Sequence, residues 1–323
     1  MSTKLIKIGV FGAGHLGKIH LKLLNESKMF NLIGFHDVNP EHSKKIEKEF
    51  GYTYFNNSNL LIDSSDAIAI ITPTKFHYEI AMRCIEKNKH IFIEKPIAHN
   101  VAEAEELVKF SKEKKIIGQV GHVERFNPAY NSVKKMIGNP MFIESHRLSE
   151  FNPRGTDVSV VLDLMIHDID IILSLISSEV KNISSSGVSV ISDSPDIANA
   201  RIEFHNGAVA NLTASRISLK NMRKLRFFQK ETYISVDLYN KKVEVVKMID
   251  ASNELDEFAL TLENAEGKKK QILFDAPKII NYNAIQIELE NFANSINNNK
   301  KSIVSLEDAT NALKVAYSII NSM

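Results

Sequence analysis

Residues 4–20 constrain the fold more than any other stretch. Lys4-Leu5-Ile6-Lys7-Ile8-Gly9-Val10-Phe11 is an apolar run that feeds Gly12-Ala13-Gly14-His15-Leu16-Gly17, after which Lys18-Ile19-His20 continues as a helix. Three glycines at this spacing between a strand and a helix have separate jobs: one permits the tight turn, one lets the backbone approach a pyrophosphate, and one lets the helix close on the strand. Free N–H groups at the helix start then hold the anion. The expectation is a dinucleotide cradle, with Gly12, Gly14, His15, Leu16 and Gly17 as cofactor-binding positions. Glycine is scarce here, 13 of 323 residues, so the spacing carries information.

A second strand, Leu32-Ile33-Gly34-Phe35-His36, ends in Asp37. An acid there accepts hydrogen bonds from the adenosine ribose hydroxyls and repels a 2'-phosphate, so NAD is expected and NADP less so.

From residue 1 to 122 strand and helix patterns alternate, which predicts a doubly wound parallel sheet with helices on both faces. Helices are expected over Pro40 to Phe50, Phe76 to Lys87 and Asn100 to Lys114, and strands over Tyr52 to Phe55, Asp66 to Ile71, His90 to Ile93 and Ile116 to Gly121. Asp66-Ala67-Ile68-Ala69-Ile70-Ile71 is apolar enough to be buried on both faces. Ligands of open parallel sheets bind beyond the carboxyl ends of the strands. Thr72-Pro73-Thr74, Glu94-Lys95-Pro96 and Gly121-His122 all fall at that edge.

Beyond residue 122 the grammar changes. Asn127 to Ile137 and Val158 to Ile176 read as helices, strands dominate from Val180 to Phe274, and two helices close the chain at Tyr282 to Asn297 and Leu306 to Asn321. Runs of strands imply an open, mainly antiparallel sheet packed on helices, an α+β domain over 123–323. Ser305 and Asp308 have the spacing of a capping box. The sequence leaves open whether the last helix packs on this domain or returns to the first.

With 40 basic and 39 acidic residues the chain has no electrostatic footprint for nucleic acid or an anionic membrane, and a small-molecule substrate is expected. A single cysteine, Cys84, excludes an internal disulfide and a multi-cysteine metal site. No apolar stretch approaches a membrane span and the first strand begins almost at once, so a cytoplasmic protein without a leader is expected.

Oxidation of a carbinol by a nicotinamide needs a base for the hydroxyl proton and a positive group for the developing alkoxide. Lys95, at a strand end and fixed by the following proline, suits the second role; its alternative is an ordinary surface lysine. His167 suits the first. It lies in Asp163-Leu164-Met165-Ile166-His167-Asp168-Ile169-Asp170, where a spacing of four puts Asp163 and His167 on one helix face, the carboxylate orienting the imidazole. A satisfied core histidine is the competing reading. Asp163, His167 and Asp170 form no recognised ligand spacing, and no metal is expected. Arg147, Arg154 and Asp157 precede this helix; an arginine fork suits a diphosphate, and exposed ion pairs are the alternative.

Taken together, Gly12 to Gly17 with His20, Thr72-Pro73 with His77, Glu94-Lys95-Pro96, Gly121-His122-Val123-Glu124-Arg125-Phe126-Asn127-Pro128, and Asp163 with His167 resemble, in order and spacing, the glucose-fructose oxidoreductase, inositol dehydrogenase and MocA family. The resemblance implies a Rossmann domain followed by an open-sheet domain, a tightly held NAD(P), and sugar or polyol oxidoreduction. It implies catalytic roles for Lys95, Asp163 and His167. Thr72, Pro73, His77, Glu94 and Arg125 join the cofactor positions, and His122, Arg147 and Arg154 the substrate positions. It further implies a homodimer or homotetramer through the C-terminal sheet. Residues 121–129 and 160–172 look most like the branch that oxidises C3 of UDP-N-acetylglucosamine or its uronic acid. A reductase of a cyclic ketone, imine or tetrapyrrole, and a dinucleotide-sensing binding protein, are the alternatives.

Overall fold

The computed structural model describes residues 5–152, 158–250, 260–263, 265 and 267–323. Its contacts divide the chain into two compact units, residues 1–126 with 283–314, and residues 127–282 with 315–323. The sequence places residues 123–323 in one domain and leaves open a return of the last helix to the first; by its contacts the stretch 283–314 groups with the N-terminal unit.

That first unit holds five parallel strands: β1 (Ile6–Phe11), β2 (Phe30–His36), β3 (Ala67–Ile70), β4 (His90–Glu94) and β5 (Gly118–Gly121), in the order β2-β1-β3-β4-β5. The central position of β3 follows from its sequence: Ala67, Ile68, Ala69 and Ile70 are all fully buried, as a strand sandwiched between helix layers must be. Helices α1 (His15–Glu26), α2 (Pro40–Phe50), α3 (Ser58–Ser64), α4 (His77–Glu86) and α5 (Val101–Glu113) make the crossovers. Side chains cap them where the sequence placed polar residues. Asn39 accepts from His42 N–H at 3.0 Å at the start of α2, and Asn100 accepts from Glu103 N–H at 2.9 Å at the start of α5.

Two local expectations are corrected. Tyr52 to Phe55 forms a single parallel bridge, Phe35 to Tyr54, because both of its backbone bonds run to one residue: Phe35 N–H to Thr53 O at 2.9 Å and Phe55 N–H to Phe35 O at 2.8 Å. The helix α3 that follows was not foreseen.

Helix α8 (Ala284–Asn297) belongs to this unit through its apolar stripe. Leu289, Phe292 and Ala293 enter the core, where Phe292 lies 6.4 Å from Phe30 and 6.0 Å from Phe92, centroid to centroid. A fully buried phenylalanine is worth roughly 1.5–3 kcal/mol in removed apolar area, enough to dictate where such a helix docks. In α9 (Leu306–Asn321) the expected capping box forms: Asp308 N–H donates to Ser305 Oγ at 3.2 Å and Ser305 N–H to Asp308 Oδ2 at 2.9 Å.

The second unit opens with α6 (Pro128–Val133), shorter than expected and continued by a 3-10 turn over Lys134–Met136. Its sheet comprises β6 (Phe142–Leu148), β7 (Val180–Val188), β8 (Ile197–Phe204), β9 (Val209–Ser215), β10 (Met222–Gln229), β11 (Thr232–Asp237), β12 (Lys242–Asp250), β13 (Thr261–Glu263) and β14 (Lys269–Asp275). The order is β13-β14-β12-β11-β10-β6-β9-β8-β7, antiparallel except for the β6–β9 pair. Alternation splits its faces. Ile143, Leu212, Leu225, Phe227, Ile234 and Val236 are buried on one. The same face of β6 carries Ser145 and Arg147, which bond helix α7 (Ile166–Leu175) through Asp168. The opposite face carries a lateral row, Phe142, Phe228, Tyr233, Val246 and Phe274, set in register by the strand pairings, and Phe274 is 71% exposed.

Candidate active site

At the end of β1 the chain turns through Gly12 at φ +90°, and a side chain there would strike the Ile71 carbonyl oxygen. A side chain at Gly17 would strike the Gly12 carbonyl oxygen, so this glycine lets α1 sit against the turn. Gly14 is different: a Cβ there meets nothing within 4 Å. Among the described residues no protein atom demands a glycine at that position, whereas a pyrophosphate lying against the backbone would. Helix α1 starts at this point with no side-chain cap and no acid in its first turn, leaving its positive end for an anion.

Asp37 closes the other side. Its Oδ2 accepts the Ala13 N–H at 2.8 Å and its Oδ1 the Asn39 N–H at 3.0 Å, which fixes the carboxylate beside the turn. Gly12, Gly14, Asp37, Thr72 and Pro73 line one cavity of about 510 Å³. Five positions chosen from three places in the sequence thus share one wall, and the residues present fit NAD. His15 does not join them. It lines a separate cavity of about 250 Å³ with Lys18, Ile19, Lys22, Phe50 and Tyr52, while Leu16 is exposed on the first turn of α1.

The larger cavity also includes Val38, Ser58, Phe76 and Arg83, which the sequence reading missed. Arg83 reaches from α4 to the start of α3, donating through Nη2 to Ser58 Oγ at 2.8 Å and Asn59 Oδ1 at 3.0 Å. Without α3 in view, nothing marked Arg83 as part of the site. Val38, directly after Asp37, is 86% exposed, a large apolar side chain left in the open beside the acid.

Farther along the strand ends stand the chemical groups. Lys95, half-buried, follows β4, and its peptide bond to Pro96 is cis. Glu94 is half-buried, and each of its carboxylate oxygens meets a protein group, Oε1 accepting from His20 Nε2 at 3.0 Å and Oε2 from Lys95 N–H at 3.2 Å. His77 is buried against the same loops, with Nδ1 2.8 Å from Pro96 O and Nε2 2.7 Å from Thr72 O. Burial pulls its pKa below the ordinary 6.5. His122 is buried too, and desolvation, reinforced by the positive charges of Arg125 and Lys95, pulls its pKa down to about 3. Its ring is neutral at physiological pH. Arg125, 6% exposed, donates to Ile303 O at 3.3 Å, inside its own unit.

In the second unit the expected helix carries Asp163 and His167, with a difference. Residues Val161–Met165 form a π-helical turn that runs into α7, so Asp163 sits in the π segment and His167 in the α segment, both half-buried. The spacing of four applies to an unbroken α-helix; a π turn is wider, and residues four apart across it still fall on about the same side of the helix. Single π turns are rare and cluster at functional sites.

Arg147, expected to grip a diphosphate, is committed elsewhere. Its Nη2 donates to Asp168 Oδ1 at 2.7 Å and its Nε to Oδ2 at 3.1 Å, and Ser145 Oγ donates to Oδ2 at 2.7 Å. Alternation along β6 is the reason: Arg147 shares the inward face with Ile143 and Ser145. Arg154 and Asp157 lie outside the described residues. Among the described residues no helix is long and apolar enough to cross a membrane.

Comparison with known proteins gives the family of the chain. Residues 6–122 match the model for an oxidoreductase family with an NAD-binding Rossmann fold, and residues 116–234 match the GFO/IDH/MocA C-terminal domain. The UDP-N-acetylglucosamine 3-dehydrogenase of Acidithiobacillus ferrooxidans is 34% identical over 241 residues, 74% of this chain and 76% of that protein. Its solved structure superposes with a TM-score of 0.88 at 28% identity, covering 99% of this chain and 98% of the other. The scyllo-inositol 2-dehydrogenase (NAD(+)) of Bacillus subtilis is 27% identical over 98% of this chain and 94% of its own length. The cradle, its acid and the open-sheet unit therefore have one origin: this chain belongs to the GFO/IDH/MocA family of NAD-binding oxidoreductases.

Proposed function

We propose that the protein is an NAD-dependent dehydrogenase that oxidises a secondary ring alcohol of a nucleotide sugar of the UDP-N-acetylglucosamine kind. The observation that carries this reading is the cofactor wall of Gly14 and Asp37 on the sheet edge that also bears Lys95. Similarity along nearly the whole chain to a UDP-N-acetylglucosamine 3-dehydrogenase supports the substrate class. NAD, held by the start of α1, Asp37, Thr72 and Pro73, supplies the hydride acceptor. Lys95 stabilises the alkoxide, His167 takes the hydroxyl proton and Asp163 orients its ring. Arg147 has no part in substrate binding in this scheme, since its fork is spent on Asp168.

Lys95→Ala and His167→Ala should each lower turnover by at least about a hundredfold, the usual worth of charge stabilisation or general-base help. Unchanged turnover in both removes the assignment. The open sheet face, with its row from Phe142 to Phe274, supports a homodimer or homotetramer. Sedimentation of the protein and of a Phe228→Lys variant tests that: a monomeric wild-type protein rejects it.

A further inference from the structure

Lys95 has a flexible side chain of four rotatable bonds, and the position of its ammonium depends first on where its backbone is held. Two buried histidines hold that backbone, one on each side.

On the preceding side stands His20, in α1, with a side chain that is fully buried. Its Nε2 donates to Glu94 Oε1 at 3.0 Å, and Glu94 Oε2 accepts the Lys95 N–H at 3.2 Å. The imidazole packs beside Phe92, 5.5 Å away centroid to centroid. Space for the carboxylate is reserved by Gly121 at the end of β5: a Cβ there would fall 2.8–2.9 Å from Glu94 Oε2, Cδ and Oε1. On the following side stands His77, also buried, facing Pro96 O at 2.8 Å and Thr72 O at 2.7 Å. The peptide before Lys95 is tied to the cradle helix, and the Pro96 carbonyl, one residue beyond Lys95, meets a ring that also lies against the Thr72-Pro73 strand end.

We propose that His20, acting through Glu94, and His77, acting through Pro96, are positioning residues for the Lys95 ammonium. This rests on the reading of Lys95 as the group that stabilises the alkoxide. A purely structural pair would stabilise the fold anywhere along the sheet. Here the two rings bracket one residue, and a misplacement of about 1 Å at a reacting group is worth about a hundredfold in rate.

His20→Leu removes the bond to Glu94, and His20→Gln restores a donor near the place of Nε2. The first readout is independent of any substrate: the nuclear magnetic resonance of reductively dimethylated lysines, with the Lys95 signal identified by its loss in Lys95→Arg. The proposal expects one distinct Lys95 signal in wild-type protein and His20→Gln, and a signal moved to the exposed-lysine position or split in His20→Leu. An identical signal in all three overturns it. The second readout is turnover at saturating NAD, where His20→Leu should lose about tenfold to a hundredfold in kcat with NADH affinity held within about threefold, and His20→Gln should recover most of it. Loss of kcat matched by loss of NADH affinity, with no recovery in His20→Gln, overturns it as well. Lys95→Ala run alongside separates the two claims. Full turnover in that variant rejects the role of Lys95 itself, whereas a dead Lys95→Ala with an unaffected His20→Leu rejects only the positioning.

Discussion

Replacing Arg147 by methionine tests the corrected role of that arginine, because it keeps most of the volume and deletes the charge. The Arg147 and Asp168 side chains are each 4% exposed. After the substitution Asp168 keeps the Ser145 hydroxyl at 2.7 Å, and a carboxylate remains in the layer between β6 and α7 without its cation. Removing one partner of a buried pair costs about 3–5 kcal/mol, since the remaining charge has lost its compensation while its desolvation persists. For a unit of this size each kcal/mol moves the melting temperature by about 2–4 °C, so Arg147→Met should melt about 6–20 °C lower. Adding Asp168→Leu removes the stranded charge, and the double variant should recover at least about half of the loss even though Ser145 then lacks an acceptor. Thermal unfolding followed by circular dichroism measures both. A melting temperature within about 2 °C of wild type in Arg147→Met, together with a strongly raised KM, would refute the reasoning and return Arg147 to the substrate.

Three further outcomes follow from the geometry. Gly14→Ala should fold normally yet bind NADH at least about tenfold more weakly, because its Cβ meets only the ligand's space, whereas Gly17→Ala should lose stability by forcing α1 off the Gly12 carbonyl; isothermal titration and thermal melts separate the two. Asp37→Ser should shift the NAD to NADP preference in kcat/KM by at least about tenfold toward NADP, and an unchanged ratio would remove Asp37 from the ribose. His122 has a folded pKa of about 3 against an ordinary 6.5, so below pH 6.5 the unfolded chain takes up a proton that the native state refuses. Its cost is absent above that pH and grows as pH falls toward 3, reaching roughly 2 kcal/mol at pH 5. Urea midpoints at pH 7 and pH 5 should therefore differ less in His122→Asn than in wild type.

The parts of this protein legible from sequence are those written in local spacing. The cradle, the caps at Asn100 and Ser305 and the buried β3 each depend on residues within a few positions of one another, and the acid Asp37 on its fixed place at the end of the next strand. What escaped depends on partners far along the chain. Arg147 and Asp168 are 21 positions apart, and which face of β6 meets α7 decides whether that arginine looks at solvent or at an aspartate. The stripe of α8 announces that one side is buried but not that Phe30 and Phe92 receive it. Helix α3 is seven residues long, too short to show a period, and Arg83 was lost with it. The π turn at Val161–Met165 has no composition signal, because a one-residue widening is set by packing and not by propensity.

The most direct test of the central claim is NADH formation when the purified protein and NAD are mixed with UDP-N-acetylglucosamine, its uronic acid, free sugars and inositols. The account predicts a rise with the UDP-sugars that is lost in Lys95→Ala and His167→Ala. A rise with free sugars or inositols alone would contradict the nucleotide-sugar assignment, and silence with every carbinol despite tight NADH binding would contradict the dehydrogenase itself.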